Sequence, residues 1–265
     1  MDLKSYDVIL INTSAGKDSQ AMMEYVVGLA KTAGVLDRVI AVHCDLGRVE
    51  WKGTAELAKE HCAHYGLHLH IVSRVLGDLL QQVEERGMWP DNNNRYCTSD
   101  QKRDQVAKLV TSLVNDFIEN HVSLDRPVRV LNCMGLRAEE SPARAKKQPF
   151  QVNKRLTNGK RQVFDWLPIH AWTLTHVWDC IKKSGVKYHY AYDLGMPRLS
   201  CCFCIFAPED ALMVAGEHNP ELLTEYVRVE TTTGHDFRHG FKIASIKERL
   251  DRGERVKTAS DWKMA

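Results

Sequence analysis

Residues 6–19 have the sequence Y-D-V-I-L-I-N-T-S-A-G-K-D-S, and this stretch decides the fold. Its first half is a short apolar run, which predicts a buried strand, and the run ends in a loop rich in Ser and Gly. Apolar residues then recur at helical spacing from Gln20 to Ala30. The stretch therefore predicts a strand, a loop and a helix, with the loop at the helix N-terminus, where backbone N–H groups can bind an anion.

The alternation of strands and helices continues along the chain. Further strands are predicted over residues 38–44, 67–72 and 128–133, and further helices over residues 54–65, 76–85 and 100–120. Strands that alternate with helices predict right-handed crossovers and a parallel sheet. We therefore expect an α/β fold, an open parallel sheet with helices on both faces, whose core extends to about residue 135.

The remainder of the chain has a different pattern. Residues 139–162 are charged and rich in breakers, which predicts a solvated loop, a hairpin, or a segment that orders around an anion. The last third is predicted to be mostly helical, with helices over residues 173–184, 208–215 and 220–231. We expect a core at residues 1–138 and a C-terminal elaboration with a cysteine cluster at residues 139–265.

Composition excludes some classes of protein. No apolar run approaches the roughly 18 residues needed to span a bilayer, and no secretory leader is evident, so we expect a cytoplasmic protein without a membrane partner. Lys and Arg number 36 against 34 Asp and Glu, and a net charge of +2 neither indicates nor excludes nucleic-acid binding. Eight cysteines are too sparse for a disulfide scaffold in 265 residues.

The loop carries residue types suited to phosphate. Gly16 permits close backbone approach, Lys17 supplies a positive charge, and the hydroxyls of Ser14 and Ser19 can hydrogen-bond phosphate oxygens. The spacing of a Walker A loop is missing. The alternative is a helix capped by Ser14 with a chance Gly-Lys pair.

The loop S-A-G-K-D-S resembles the S-x-G-K-D-S loop of the PP-loop ATP pyrophosphatases, and in particular the phosphoadenosine-phosphosulfate (PAPS) reductase-like family with its adenine nucleotide alpha-hydrolase-like fold. Further stretches match in the same order along the chain, namely residues 43–51, 95–103, 135–141, 167–172 and 192–204. Several stretches in the right order are more specific than any one of them.

The resemblance implies a set of site residues. Ligands of an open parallel sheet lie beyond the carboxyl ends of its strands, so the segments after three predicted strands are expected to meet in one crevice. The nucleotide-binding residues are predicted to be Ser14, Gly16, Lys17, Asp18, Ser19, Asp45, Gly135 and Arg137. Lys17 and Asp18 are the predicted catalytic residues, and Glu140 and Arg144 are predicted to contact substrate or phosphate. The alternative for any single Arg or Asp is a solvated surface group.

The cysteines suggest a second site. Cys201 and Cys204 form a C-x-x-C pair with Cys202 between them, and Cys97 matches a cluster ligand of iron-sulfur relatives. The resemblance implies a [4Fe-4S] cluster on all four, or on Cys97, Cys201 and Cys204 with one iron open. Zinc is the rival metal, and the third possibility is a buried apolar strand over residues 201–206.

Three functions remain open. The first is a PAPS or adenylylsulfate reductase, but its C-terminal E-C-G-L-H motif is not found after Cys204. The second, which we favour, cleaves ATP with Mg²⁺ to AMP and pyrophosphate and adenylates an oxygen for sulfur insertion. This combination looks like the ATP pyrophosphatase component of DNA phosphorothioation systems, while tRNA thiolation enzymes fit less well. The third is a nucleotide-binding scaffold without turnover.

The favoured function implies partners. A cysteine desulfurase would donate the sulfur, and DNA or another nucleic acid would be the acceptor. Mild support comes from the basic pairs at residues 146–147, 154–155 and 160–161, which could meet a phosphate backbone or could belong to an ordinary solvated loop. Oligomeric state stays open.

Overall fold

A computed structural model describes residues 1–121 and 125–262. The chain divides into two compact units that are each discontinuous in sequence. The first comprises Met1–Cys44, Ala55–Val72 and Asp104–Tyr188, and the second comprises Asp45–Thr54, Ser73–Arg103 and the chain from His189 onward. The predicted boundary after residue 138 therefore falls inside the first unit. Within the described residues, no helix has the length and apolar character that crossing a membrane requires.

The first unit is built on a six-stranded sheet in its described part, with the strand order β3-β2-β1-β4-β6-β5. The strands are β1 Val8–Thr13, β2 Val39–Cys44, β3 His68–Val72, β4 Val128–Met134, β5 Phe150–Val152 and β6 Arg161–Trp166. Neighbouring strands are parallel except for β5, which pairs antiparallel with β6 at the edge of the sheet. The expected parallel sheet is confirmed.

Helices cover both faces of this sheet. They are α1 Lys17–Ala33, α2 Thr54–Tyr65, α5 Asp104–Asn120 and α7 Leu174–Ser184, and the unit also has a short helix, α6 Pro142–Ala145. Successive residues of a strand point to opposite faces, so Ile9 and Ile11 of β1 pack with α1, α2 and α7, whereas Val8 and Leu10 pack with α5. A strand buried on both faces needs a continuous apolar run, and β1 has one. The predicted helices on both faces are confirmed.

The sheet extends beyond residue 135, where its core was predicted to end. β6 pairs with β4 over Val128–Cys133 and lies inside the sheet, because β5 takes the edge position. A hairpin was one of the three predicted forms of segment 139–162, and the observed hairpin begins there with β5 but pairs with residues 164–166, beyond the end of that segment. β6 was missed because it follows a breaker-rich stretch and half of its six residues are polar, namely Arg161, Gln162 and Asp165, so its sequence lacks an apolar run.

The second unit is helical in its described part. Its helices are α3 Leu79–Arg86, α4 Tyr96–Thr98, α8 Glu209–His218, α9 Pro220–Thr233 and α10 Ala244–Asp251. Its core contains Tyr226, which stacks on Trp89 with ring centroids 5.2 Å apart and meets the Phe203 ring edge-on at 4.9 Å. Residues 201–206 form turns, so the alternative of a buried strand there is wrong.

Candidate functional site

The loop after β1 forms a tight turn that ends at the N-terminus of α1. Ala15 has a φ of 54°, which is the left-handed region that residues other than glycine rarely adopt. Its backbone N–H donates to Thr13 Oγ1 at 3.2 Å. Gly16 precedes α1 in an extended conformation, and no side chain of the described residues caps the helix there. The loop therefore lies at the positive end of the dipole of α1, which favours an anion.

Two serine hydroxyls stabilise the turn. Ser19 Oγ donates to the Gly16 carbonyl at 2.9 Å and accepts from the Ser14 backbone N–H at 3.1 Å. The two hydroxyl oxygens lie 3.4 Å apart. Both predicted phosphate contacts therefore lie on the same turn, and the alternative in which Ser14 simply caps the helix is not the observed arrangement.

Lys17, Asp18 and Arg137 form a chain of charges beside the turn. Arg137 Nε donates to Asp18 Oδ1 at 2.6 Å, and Lys17 Nζ lies 3.5 Å from Asp18 Oδ2. Arg137 also donates to Glu139 at 2.5 Å and is only 4% exposed. Burial lowers the pKa of Arg137, but the Asp18 and Glu139 carboxylates raise it above its ordinary value. In this structure Arg137 holds the first turn of α1 through Asp18, and its predicted contact with nucleotide stays a prediction.

The segment after β4 packs directly on the start of α1. A Cβ atom on Gly135 would lie 2.8 Å from the Asp18 carbonyl oxygen and 3.0 Å from Ser19 Cα, so only glycine fits without displacement. Glu140 accepts from the Arg137 backbone N–H at 2.9 Å and forms an ion pair with Arg144. The structure thus brings the Ser14 to Ser19 loop and the Gly135 to Glu140 segment together within the first unit.

Asp45 belongs to the second unit. Its carboxylate accepts from the Gly47 backbone N–H at 2.8 Å, which stabilises a turn in which Gly47 has a φ of 74°. Its predicted contact with nucleotide stays a prediction.

A row of polar side chains was missed by the sequence predictions. Asn12 donates to Asn132 at 2.7 Å, Asn132 donates to Asp165 at 2.8 Å, and Asn153 donates to the same carboxylate at 3.1 and 3.0 Å. The row lies near the carboxyl ends of β1, β4 and β6, where ligands of parallel sheets bind. The signal was a polar residue near the end of each of these strands.

Three thiols lie near one another in the second unit. Cys97 is in α4, and Cys201 and Cys204 lie in the turns before α8. Burial raises the pKa of Cys201 to about 12 and also raises that of Cys204, and the nearby Cys97 thiol adds to both increases. The Arg95 guanidinium lies 4.9 Å from the centre of the Phe206 ring, which links the two segments. The three thiols would bind metal as thiolates, so binding would release protons.

Cys202 has different surroundings. Its backbone N–H donates to the Val49 carbonyl at 2.9 Å, and its side chain is only 1% exposed. Burial is the main reason why the pKa of Cys202 is raised, and the nearby Cys201 and Glu50 raise it further. Cys202 is therefore the predicted ligand that the structure places in the core, and its role as a ligand stays a prediction.

The two predicted metals require different spacings of the thiol sulfur atoms. A single zinc ion needs every sulfur about 2.3 Å from one point. Among residues 1–121 and 125–262, no group of three or more His, Cys, Asp or Glu side chains is arranged to hold one ion. An iron-sulfur cluster binds each thiolate on a separate iron atom and so accepts wider spacing. Cysteine thiolates suit both a cluster and zinc, and the metal that these thiols bind stays a prediction.

The chain is similar in sequence to a known domain family and to two known proteins. The sequence pattern of the phosphoadenosine phosphosulfate reductase domain matches residues 8–207. The uncharacterized protein MJ0066 of Methanocaldococcus jannaschii is 29% identical over 198 residues, covering 74% of this chain and 36% of that protein. An uncharacterized 37.8 kDa protein in the gpa 5' region of Escherichia phage 186 is 28% identical over 185 residues, covering 68% of this chain and 52% of that protein. The chain thus spans about a third and about half of the lengths of these relatives.

Among solved structures, the PAPS reductase of Candida auris in its phosphate complex resembles the chain with a TM-score of 0.43 and 16% identity. The alignment covers 75% of this chain and 83% of that one. The sequence match is the stronger finding. Because it extends over more than half of the 265 residues, the chain belongs to the phosphoadenosine phosphosulfate reductase domain family.

Proposed function

We propose that the protein cleaves ATP between the α and β phosphates, releases pyrophosphate, and adenylates an oxygen that then receives sulfur. The observation that carries this proposal is the tight turn at the N-terminus of α1, with Lys17 and the hydroxyls of Ser14 and Ser19 on the same loop. N–H groups, a cation and hydroxyls around one point form a binding site for a chain of phosphates. The family match supports a nucleotide as the ligand.

Each loop residue has a task in this reaction. The N–H groups of α1 and the Lys17 ammonium would bind the β and γ phosphates, together with the Mg²⁺ that ATP carries, and stabilise the charge that develops on the leaving pyrophosphate. Asp18 would orient Lys17, because it lies 3.5 Å from the ammonium and is itself held by Arg137. Gly135 would let the segment after β4 approach the phosphates closely.

The transfer of sulfur completes the reaction. An oxygen of the acceptor attacks the α phosphorus, the bond to the β phosphate breaks, and pyrophosphate leaves. A hydrosulfide nucleophile then attacks the activated acceptor, the bond to AMP breaks, and AMP leaves with both electrons of that bond. We propose a DNA phosphate as the acceptor and a cysteine desulfurase as the source of sulfur. A thiol reductant would release the outer sulfur of the desulfurase persulfide as hydrosulfide and would itself be oxidised to a disulfide, and the product is a phosphorothioate.

The thiols of Cys97, Cys201 and Cys204 would hold a [4Fe-4S] cluster. With three protein ligands, such a cluster supplies one iron at which sulfur can bind before transfer. The Cys97 thiol raises the pKa of Cys201 and of Cys204, whereas the neighbours that raise the pKa of Cys202 are Cys201 and Glu50, which favours three ligands over four. The test is the visible absorption of protein reconstituted anaerobically with iron and sulfide. It should be lost in Cys97→Ala and kept in Cys62→Ala, a control that removes a buried thiol from the first unit.

The test of ATP cleavage is to incubate the reconstituted protein with ATP, Mg²⁺ and DNA and to measure AMP and pyrophosphate. Lys17→Ala should lower pyrophosphate release by about 100-fold, because a preorganised charge is removed. Lys31→Ala removes an exposed lysine from the other end of the same helix and should have little effect. Production of ADP and phosphate would refute cleavage at the α phosphate, and ATP binding without any cleavage would favour a scaffold.

A second candidate is reduction of PAPS, which the family match favours. Its assay is the release of sulfite from PAPS in the presence of a thiol reductant such as thioredoxin. Robust sulfite release would replace the proposal of sulfur insertion.

A further inference from the structure

The hairpin at the edge of the sheet carries an unusual concentration of positive charge. Residues 141–164 contain seven Lys and Arg and no Asp or Glu, although the whole chain has a net charge of only +2. This stretch runs from α6 through β5 to β6, so the structure gathers its charges along one edge of the first unit. A local excess of this kind attracts polyanions.

Four of these charges are available to a ligand. Lys146, Lys147, Lys154 and Lys160 are exposed, and none forms an ion pair with any residue that the structure describes. The three arginines are engaged with the protein. Arg144 pairs with Glu140, Arg155 pairs with Asp104 at 3.1 Å, and Arg161 donates to the Leu156 carbonyl and to Thr111. The arginines thus stabilise the hairpin, while the lysines face solvent.

An aromatic residue lies between the lysines in the sequence. Phe150 of β5 is 42% exposed, and its ring stacks on Phe164 of β6 with centroids 5.5 Å apart and an interplanar angle of 7°. Phe164 is in turn held by the Arg129 guanidinium, which lies 5.3 Å from its ring centre and 5.3 Å from that of Tyr6. The Phe150 ring is therefore fixed in orientation on one face and exposed elsewhere. A fixed, exposed ring among cations is a platform for stacking a nucleobase.

We propose that this edge, formed by Lys146, Lys147, Phe150, Lys154 and Lys160, binds single-stranded DNA. The proposal rests on the proposed function, in which DNA carries the accepting phosphate. Lysines would bind the backbone, and one unpaired base would stack on Phe150. A duplex keeps its bases stacked on one another, so it would use the lysines but not the ring.

The alternative occupant of an edge strand is a peptide that adds a strand to β5. Charge argues against it as the main partner. Strand addition depends on backbone hydrogen bonds, which do not require four unpaired lysines around a three-residue strand. A polyanion uses every one of them.

The test is the fluorescence anisotropy of a labelled single-stranded DNA of about 20 nucleotides, compared with the duplex of the same sequence, in the absence of ATP. The single strand should bind more tightly. In a plot of the logarithm of the association constant against the logarithm of salt concentration, four lysine contacts predict a slope of about −3 for the wild type. The Lys146→Ala/Lys147→Ala variant keeps two of these contacts and should give a slope of about −1.4. Phe150→Leu keeps an apolar side chain but removes the ring and should weaken binding by about 10-fold.

The matched control is Lys182→Ala/Lys183→Ala, which removes two adjacent exposed lysines from the end of α7. It should leave affinity within about two-fold and the salt slope unchanged, since these lysines lie outside the hairpin. The proposal would be overturned if the two double variants lost the same amount of DNA affinity. It would also be overturned if the duplex bound as tightly as the single strand and Phe150→Leu left that affinity unchanged. The affinity of the Lys146→Ala/Lys147→Ala variant for ATP, measured without DNA, separates this proposal from the proposed function. An unaltered ATP affinity together with lost DNA binding supports the surface, and an unaltered DNA affinity overturns it whatever the ATP measurement shows.

Discussion

The contact between Gly135 and the start of α1 provides the sharpest test of how the nucleotide loop is held. In Gly135→Ala, the new Cβ would lie 2.8 Å from the carbonyl oxygen of Asp18, and ordinary contact begins at 3.4 Å. The backbone must therefore move by about 0.6 Å, the difference between these distances. The atoms in the way are backbone, which cannot rotate aside. Overpacking of this kind destabilises a protein by about 1–3 kcal/mol.

The same displacement reaches the loop, because Asp18 and Ser19 belong to the first turn of α1. A shift of this size at a site that positions phosphate should lower kcat/KM for pyrophosphate release by about 10- to 100-fold. The matched control is Gly28→Ala in the same helix, where a Cβ would meet no atom within 4 Å. Alanine there should stabilise the helix by about 0.5–1 kcal/mol and leave activity unchanged.

Urea unfolding and the pyrophosphate assay measure both effects on the same samples. A Gly135→Ala protein with wild-type stability and wild-type activity would refute the argument. So would equal losses in the two variants, since the control lacks the steric contact.

Three further predictions follow from named contacts. Arg137→Lys should lower the free energy of unfolding by about 2–3 kcal/mol in urea titrations. Lysine lacks the planar guanidinium group with which Arg137 donates to Asp18 in this buried position. Burial raises the pKa of Asp7, but hydrogen bonds from Arg126 and from a backbone N–H lower it below the ordinary 3.8 overall. The stabilisation is therefore present above pH 3.8 and lost as pH falls through the lower folded-state pKa. The Tm difference between wild type and Asp7→Asn should be largest near neutral pH and shrink in acid, and a constant difference would contradict this sign. Cys202→Ala should keep the absorption of the reconstituted cluster, and its loss would identify Cys202 as a fourth ligand.

Much of the first unit could be predicted from the sequence because its signals are local. The apolar run of β1, the helical spacing of α1 and the loop between them occupy a single stretch, and period and turn chemistry act over a few residues. The thiol pair of Cys201 and Cys204 is local in the same sense. β6 escaped prediction because its place in the sheet depends on pairing with β4, not on its own composition.

The sequence by itself determined the fold class, the loop between β1 and α1 and the family, since each depends on short patterns that keep their order along the chain. Only the tertiary structure decided that Arg137 binds Asp18, a residue 119 positions away, and that Phe150 stacks on Phe164 at a basic edge. It also brought Cys97 near Cys201 and Cys204, while placing Cys202 in the core. These pairings depend on which strands become neighbours and which side chains are buried, and long-range packing sets both.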